Sequence, residues 1–416
     1  VFVPYSRNQI MSTQLPVRPI AERLPTRPSD SLPLAGLLAL AVTGFVAILT
    51  ETLPAGLLPE ISRSLNVPES WAGQLVTLYA LGSVAAAIPM TALTRSWSRR
   101  AVLLFAIGLF LVFNTVTALA SWYALTLVAR FMAGVAAGIT WGLVPGYARR
   151  MVDTHLQGRA MAIALVGTPI ALALGVPAGT WLGDLLGWRA AFDVMTGLTV
   201  GLVFWVLWKA PDLPGQQNGN GPRIVDVLVM PGVRPVLFVI LAWMLAHNIL
   251  YTYIAPFLVL ANMTRGVDAV LLVFGLAAIG GIWITGALID RWLRALVLAS
   301  LAIFAVASAA LAIDGTSPLV VYFAIASWGL TFGGAATLLQ TASADAAGDG
   351  ADIAQSLIVT VWNGAISGGG LIGGILLDTT GVGAMAWVLL ALLIVGLVIA
   401  WRSSTHAFKP GRRAQL

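Results

Sequence analysis

Residues 92–103 read ALTRSWSRRAVL, and residues 287–298 read ALIDRWLRALVL. At an offset of 195 the Ala, Leu, Trp, Arg, Val and Leu of the two stretches fall in register. The correspondence continues outward. Gly134 and Gly138 meet Gly329 and Gly333 at the same offset, and Gly175, Gly179, Asp184 and Gly187 meet Gly369, Gly373, Asp378 and Gly381 at 194. Isolated glycine matches are cheap in a chain with 43 glycines, but three blocks whose spacings agree to within one residue indicate a duplicated unit.

Each copy of the short basic stretch sits between long apolar segments. The 416 residues are 59% hydrophobic and 10% charged, against about 25% charged in soluble domains. Mean hydropathy is +0.91. Runs of about 20 apolar residues, enough to cross a bilayer at 1.5 Å each, recur over residues 34–59, 71–93, 101–120, 122–147, 160–182, 188–208, 236–260, 269–289, 295–313, 318–341, 353–377 and 384–401. The pattern predicts an all-α membrane protein with twelve transmembrane helices in two pseudo-symmetric six-helix halves. Residues 34–209 form the first half and 235–402 the second. The polar stretch 210–234 links them, a disordered tail covers 1–33, and a second tail covers 403–416. The first tail is proline-rich with no apolar core, so it does not read as a cleaved signal peptide. Met11 is a candidate start.

The basic residues predict sidedness. Nineteen Lys and Arg lie in the tails and in the loops after even-numbered spans. The other face has only Arg63, Arg189 and Arg265, while Arg130 lies inside a span. Under the positive-inside rule both termini are cytoplasmic, in a bacterial cytoplasmic membrane. This distribution accounts for a basic chain without nucleic acid. The absence of cysteine excludes disulfides and thiol chemistry. His155, His247 and His406 are too scattered to hold a metal. No GxxxxGK[ST] loop or polar catalytic cluster is present, so neither direct ATP drive nor an enzyme is expected, and no cofactor beyond an ion gradient. Parallel repeats about an axis along the membrane normal are a known transporter design, with substrate held near the midplane between the halves.

Family motifs agree. Gly286, Asp290, Arg291 and Arg294 follow the pattern GxLaDRxGRR, whereas the first copy has Arg95 at the acidic position and keeps Arg99 and Arg100. LVARFMAGVAAG (127–138) resembles a fourth-helix motif with Arg130 and Gly134 at its key positions. GTPIALALGVPAG (167–179) resembles a fifth-helix antiporter motif containing Gly175 and Gly179. With WRAAF (188–192) and HNILYTYIAPF (247–257), residues 34–402 resemble the major facilitator superfamily. Within it they are similar to the twelve-helix drug:proton antiporter group, near bacterial sugar-efflux (arabinose-efflux-like) permeases. The resemblance implies the major facilitator fold and export of a drug-like compound or sugar by proton antiport through alternating access, with a link to drug resistance. It further implies proton coupling at Arg130 and gate loops at Arg99, Arg100, Gly286, Asp290, Arg291 and Arg294. Because Arg95 replaces the acid, a gating ion pair does not transfer to the first half. The rival reading is a proton-independent facilitator or importer of sugars or nucleosides.

The intramembrane polar residues carry the site. Glu51, in FVAILTETLPAGLLP (45–59), lies about 12 Å below the outer end of its span, and Arg130 lies at about the same depth. A charge in mid-membrane is costly unless it faces a cavity or a partner. Glu51 is therefore read as the proton carrier, its ionisation depending on which side is open, with Arg130 supporting the charged form. A static ion pair is the structural alternative. His247 lies about 16 Å into its span and is read as a proton-coupling or substrate residue, against a plain hydrogen-bonded imidazole. Asn248, Tyr251, Tyr253, Trp362 and Asn363 are read as substrate-binding walls, with Tyr79 and Gln340 along the path. The glycines of spans five and eleven mark a seam that slides between states. Expected partners are a small-molecule substrate, protons and membrane lipid, with the chain acting as a monomer.

Overall fold

The computed structural model describes Val1 and residues 32–94, 96–153, 156–215 and 224–411. Most of the first tail, residues 412–416, Arg95, His155, the centre of the linker and the Asp290 side chain therefore lie outside the described residues.

The described chain is all-helical. Its twelve long helices are α1 Leu34–Gly56, α2 Glu69–Leu93, α3 Arg99–Leu119, α4 Tyr123–Arg150, α5 Arg159–Leu186, α6 Trp188–Lys209, α7 Val233–Thr252, α8 Val267–Ile289, α9 Arg291–Asp314, α10 Pro318–Ala347, α11 Ala351–Thr379 and α12 Gly383–Arg402. Eleven helical stretches are long and apolar enough to cross a membrane. The remaining helix, α2, has 25 residues and is less apolar. Its Ser70, Gln74, Thr77 and Tyr79 sit inside the bundle. Helices α8 and α9 run on almost continuously, broken where Trp292 leaves helical geometry (φ −136°, ψ 28°).

The duplication is three-dimensional. A Cβ at Gly134 would strike the backbone of Tyr79, and one at Gly138 the carbonyl of Ser83. A Cβ at Gly329 would strike Phe274, and one at Gly333 the carbonyl of Ala278. Tyr79 and Phe274, like Ser83 and Ala278, are again 195 apart. The repeated glycines thus let α4 lie against α2 and α10 against α8, as small residues do in membrane bundles. The turns into α6 and α12 use Gly187 (φ 90°) and Gly381 (φ 79°), a conformation that suits glycine.

Helices α1 and α7 match with one extra residue. Each ends in the same break, at Leu57 (φ −113°, ψ 18°) and Tyr253 (φ −111°, ψ 29°). A short helical piece then closes on a left-handed asparagine, Asn66 (φ 53°) or Asn262 (φ 56°). Both pairs are 196 apart.

Between the halves, α2 packs on α11 and α5 on α8, and α1 touches α7. Helices α5 and α11 both lie on this seam, but on separate sides of it. A π-turn at Ala171–Gly175 distorts α5 where Gly275 of α8 approaches Ala173 so closely that a Cβ would collide with it. Such bulges favour functional sites. Gly175 and Gly179 instead face Phe45 and Leu53, packing α5 onto α1 within the first half.

Hydrogen bonds that cross the seam among the described residues gather toward the face opposite the linker. Gln74 Nε2 donates toward Gly370 O (3.4 Å) and Tyr253 Oη (3.5 Å), and the Tyr253 hydroxyl lies 3.3 Å from Ser70 O, while within its own half it lies 2.8 Å from Gly370 O. Gly73 and Gly373 make room for the tyrosine ring, since a Cβ at either would overlap it.

Candidate functional site

Two walls face the middle of the bundle. The first belongs to α1, α2 and α4. Arg130 of α4 is completely buried. Its Nε donates to Leu75 O (3.4 Å) and its Nη2 to the main-chain oxygen of Glu51 (3.4 Å), while Nη1 has no partner. The guanidinium lies 4.9 Å from the Tyr79 ring centroid and 5.8 Å from that of Phe192. The Tyr79 hydroxyl donates to Ala47 O (2.8 Å), which ties α2 back to α1. Two long bonds to carbonyls and the π-faces of two rings hold the cation with no carboxylate against it.

Glu51 is 6% exposed. Its side chain forms neither an ion pair with Arg130 nor a hydrogen bond with any described residue. A directly hydrogen-bonded Glu51–Arg130 pair thus does not describe this geometry: the arginine donates to main-chain oxygens and acts on the carboxylate through its charge alone. A carboxylate this buried and without a hydrogen bond is costly unless a proton, water or ligand meets it. Thr50, the residue immediately before Glu51, accepts from Asn114 Nδ2 (2.9 Å) of α3.

The second wall is aromatic and belongs to α7, α8 and α10. The imidazole of His247 stacks on Phe332 at 3.7 Å with the planes 6° apart. Tyr251, Trp328 and Phe274 stand around it at 5.3, 5.2 and 5.9 Å. Trp328 Nε1 donates to His247 Nδ1 (3.1 Å). An indole N–H only donates, so Nδ1 is the acceptor and carries no proton. Asn248 is 7% exposed and bonds back to Met244 O (2.7 Å) through its amide.

Glu51 and His247 are 196 residues apart, each six residues before the equivalent break, so they hold corresponding positions in the two halves. Their surroundings correspond as well: Tyr79 under Arg130 matches Phe274 beside His247. The sequence reading did not single out Trp328, Phe332 or Phe274. The signal was available, because SWGLTF (327–332) spans Gly329, the counterpart of Gly134 one turn after Arg130.

The other residues read as site walls scatter. Tyr253 sits two residues past Tyr251 but turns into the seam, and its bonds there make it a fastening between halves rather than a wall beside His247. Tyr79 is fully buried and supports Arg130, so it does not line an open path. Trp362 packs with Val76, Ala80 and Ile366 between α2 and α11. Asn363 bonds to Val359 O (2.9 Å) on its own helix, and Gln340 is half-buried on α10.

The loop motifs act within their halves. Arg294 donates to Ala400 O (3.1 Å), Trp401 O (2.8 Å) and Phe408 O (3.0 Å), clasping the last turn of α12 and the chain just beyond it. The main-chain nitrogen of Arg99, its counterpart, donates to Leu213 O (2.8 Å) beyond α6, and Leu213 and Phe408 are also 195 apart. Arg100 pairs with Asp212 (3.5 Å). Arg291 is exposed, and Gly286 faces open space, with no close neighbour that requires a glycine.

Residues 40–370 match the family described as Major Facilitator Superfamily. The purine ribonucleoside efflux pump NepI of Shigella dysenteriae serotype 1 is 29% identical over 337 residues, covering 80% of this chain and 86% of that protein. NepI of Escherichia coli K12 is 28% identical over 337 residues, covering 80% and 85%. The transcription regulatory protein OpdE of Pseudomonas aeruginosa is 28% identical over 375 residues, covering 88% and 93%.

Proposed function

The chain belongs to the major facilitator superfamily, and on that premise we propose that it exports a nucleoside-like molecule in exchange for protons. It is a multi-pass membrane transporter and not an enzyme. Export and the substrate class draw support from the relatives named as purine ribonucleoside efflux pumps. A ligand with an aromatic base and a polar sugar suits a site with an aromatic wall on one side and hydrogen-bonding groups on the other. This reading is preferred to drug-like compounds or simple sugars, which lack one half of that match.

The observation that carries proton coupling is the Glu51 carboxylate: buried, unpaired and beside a guanidinium that is occupied with backbone. Ionised, it draws on Arg130 and on water from the open side. Protonated, it becomes a neutral donor that needs neither. The proton is thereby linked to the conformation, since each state of the carboxyl group favours a different exposure. The asymmetry of basic residues makes the linker face cytoplasmic, so the bonds around Tyr253 close the outside. Protons from outside load Glu51 as substrate leaves, and release inside resets the site.

The test is reconstitution in liposomes with a pH-sensitive dye inside, comparing wild type with Glu51→Gln while inosine or adenosine is added. Nucleoside-evoked proton flux in wild type, absent in the variant while binding persists, is the expected result. Equal flux in both removes Glu51 from the cycle. Nucleoside movement with no proton flux in wild type replaces antiport with facilitated diffusion.

A further inference from the structure

The His247 ring is 5% exposed and held on every side but one. Phe332 covers one face at 3.7 Å, Tyr251 stands 5.3 Å away, and Trp328 occupies Nδ1. Because Nδ1 accepts, the neutral ring bears its proton on Nε2, and no described residue accepts from that atom. The side chain as a whole is buried, yet this N–H meets no acceptor among the described residues, and polar groups so placed are seldom left without one. Phe332 and Trp328 fix the ring plane, so the donor's direction is set before any ligand arrives. Glu51 at the matching position has no comparable restraint.

We propose that His247 does not carry the transported proton but is the specificity donor of the site, giving Nε2–H to an in-plane ring acceptor of an aromatic nitrogen heterocycle. Trp328 is its positioning residue. The proposal rests on the nucleoside reading above for its substrate and adds the atom that reads the base. An imidazole locked in one tautomer discriminates between a ring nitrogen, which accepts, and a ring C–H at the same place, which does not. A site built to hydrogen-bond its ligand rejects an analogue lacking the partner more strongly than a greasy pocket rejects an added group.

Two measurements test it. The first needs no substrate. The chain contains three histidines, so nitrogen NMR of imidazole-labelled protein yields few signals, and the one lost in His247→Gln is assigned. The expected spectrum shows Nε2 protonated and Nδ1 bare at neutral pH, and loss of that preference in Trp328→Phe. A doubly protonated or Nδ1–H ring overturns the proposal whatever the substrate proves to be. The second is competition binding with inosine and its deaza analogues, each replacing one ring nitrogen by C–H. One analogue is expected to bind wild type about tenfold more weakly, as for one lost buried hydrogen bond. That difference is expected to vanish in His247→Leu, to return in His247→Gln, whose amide nitrogen falls near Nε2, and to shrink in Trp328→Phe. Discrimination that is unchanged in His247→Leu overturns the proposal. If wild type binds no nucleoside, the substrate reading fails while the NMR result still decides the tautomer.

Discussion

One register position, six residues before the break that ends the first helix of each half, holds a carboxylate in one half and an imidazole in the other. The frames around them are the same to within a residue: glycines that seat α4 on α2 seat α10 on α8, against backbone that also matches. What differs is the restraint on the polar group. In the first half the guanidinium beside Glu51 is tied to main-chain oxygens, and the carboxylate feels its charge without a hydrogen bond to it. In the second, an indole and three other rings hold the imidazole in one orientation. A group that must gain and lose a proton needs freedom from fixed partners, and a group that reads a ligand needs the opposite. Duplication supplied two equal scaffolds, and the proposed roles of Glu51 and His247 divide the work between their side chains.

The largest effect that tests this division is exchange of the two residues. The double variant Glu51→His, His247→Glu is expected to lose proton-coupled transport completely. Its carboxylate would stand among rings with no arginine nearby, at a site where charge is costly. Proton-coupled flux within a few-fold of wild type, measured with the same liposome assay, would show the halves to be interchangeable and end the comparison.

The shared frame makes a second prediction. Gly134→Ala and Gly329→Ala each push a methyl group into a neighbouring backbone, at residues 79 and 274. Overpacking of this kind costs about 1–3 kcal/mol. Thermal unfolding in detergent should therefore fall in both variants by similar amounts. A loss confined to one would mean that the matching glycines do different jobs.

The spans and their duplication were legible because they rest on strong, local signals: apolar length, glycine where helices touch, arginine where loops begin. The correspondence of Glu51 with His247 was not, because the residues differ and the register of α1 against α7 is one residue off that of the loops. Facing was illegible too. Tyr251 and Tyr253 are neighbours in sequence, but the helix break at residue 253 sends the second ring into the seam. Arg130 shows the same limit, since depth along two helices placed it level with Glu51 without revealing that it reaches a main-chain oxygen.

A third prediction concerns the clasps. Arg294→Ala removes two bonds to carbonyls in the last turn of α12 and one to a carbonyl beyond it, and removal of a charged donor costs about 1.5–3 kcal/mol where the acceptors are buried. Part of that group is exposed, so water takes over some acceptors and the loss should fall below this range. The expected readout is earlier unfolding of the second half, seen as faster hydrogen exchange near residues 400–408, with the first half unchanged. Equal acceleration in both halves would make the motif a bridge between them.

The smallest expected effect lies at the seam, where the halves meet and their difference has to be transmitted. Tyr253→Phe keeps the ring that Gly73 and Gly373 accommodate and removes only the hydroxyl, which meets Ser70 O and Gln74 Nε2 across the seam and Gly370 O within its own half. A neutral hydrogen bond contributes about 0.5–1.5 kcal/mol, so the balance between closed and open states should move by roughly two- to tenfold toward open. The natural absence of cysteine makes this measurable, because a single Thr77→Cys, placed where α2 meets Gly370, gives labelling without background. Faster labelling in Tyr253→Phe, slowed again by whatever favours the closed state, identifies the tyrosine as a fastening whose strength is matched to being undone. A much stronger bond would trap the transporter in one state, and a weaker one would not hold the two walls together long enough for the proton and the ligand to be exchanged on the same side.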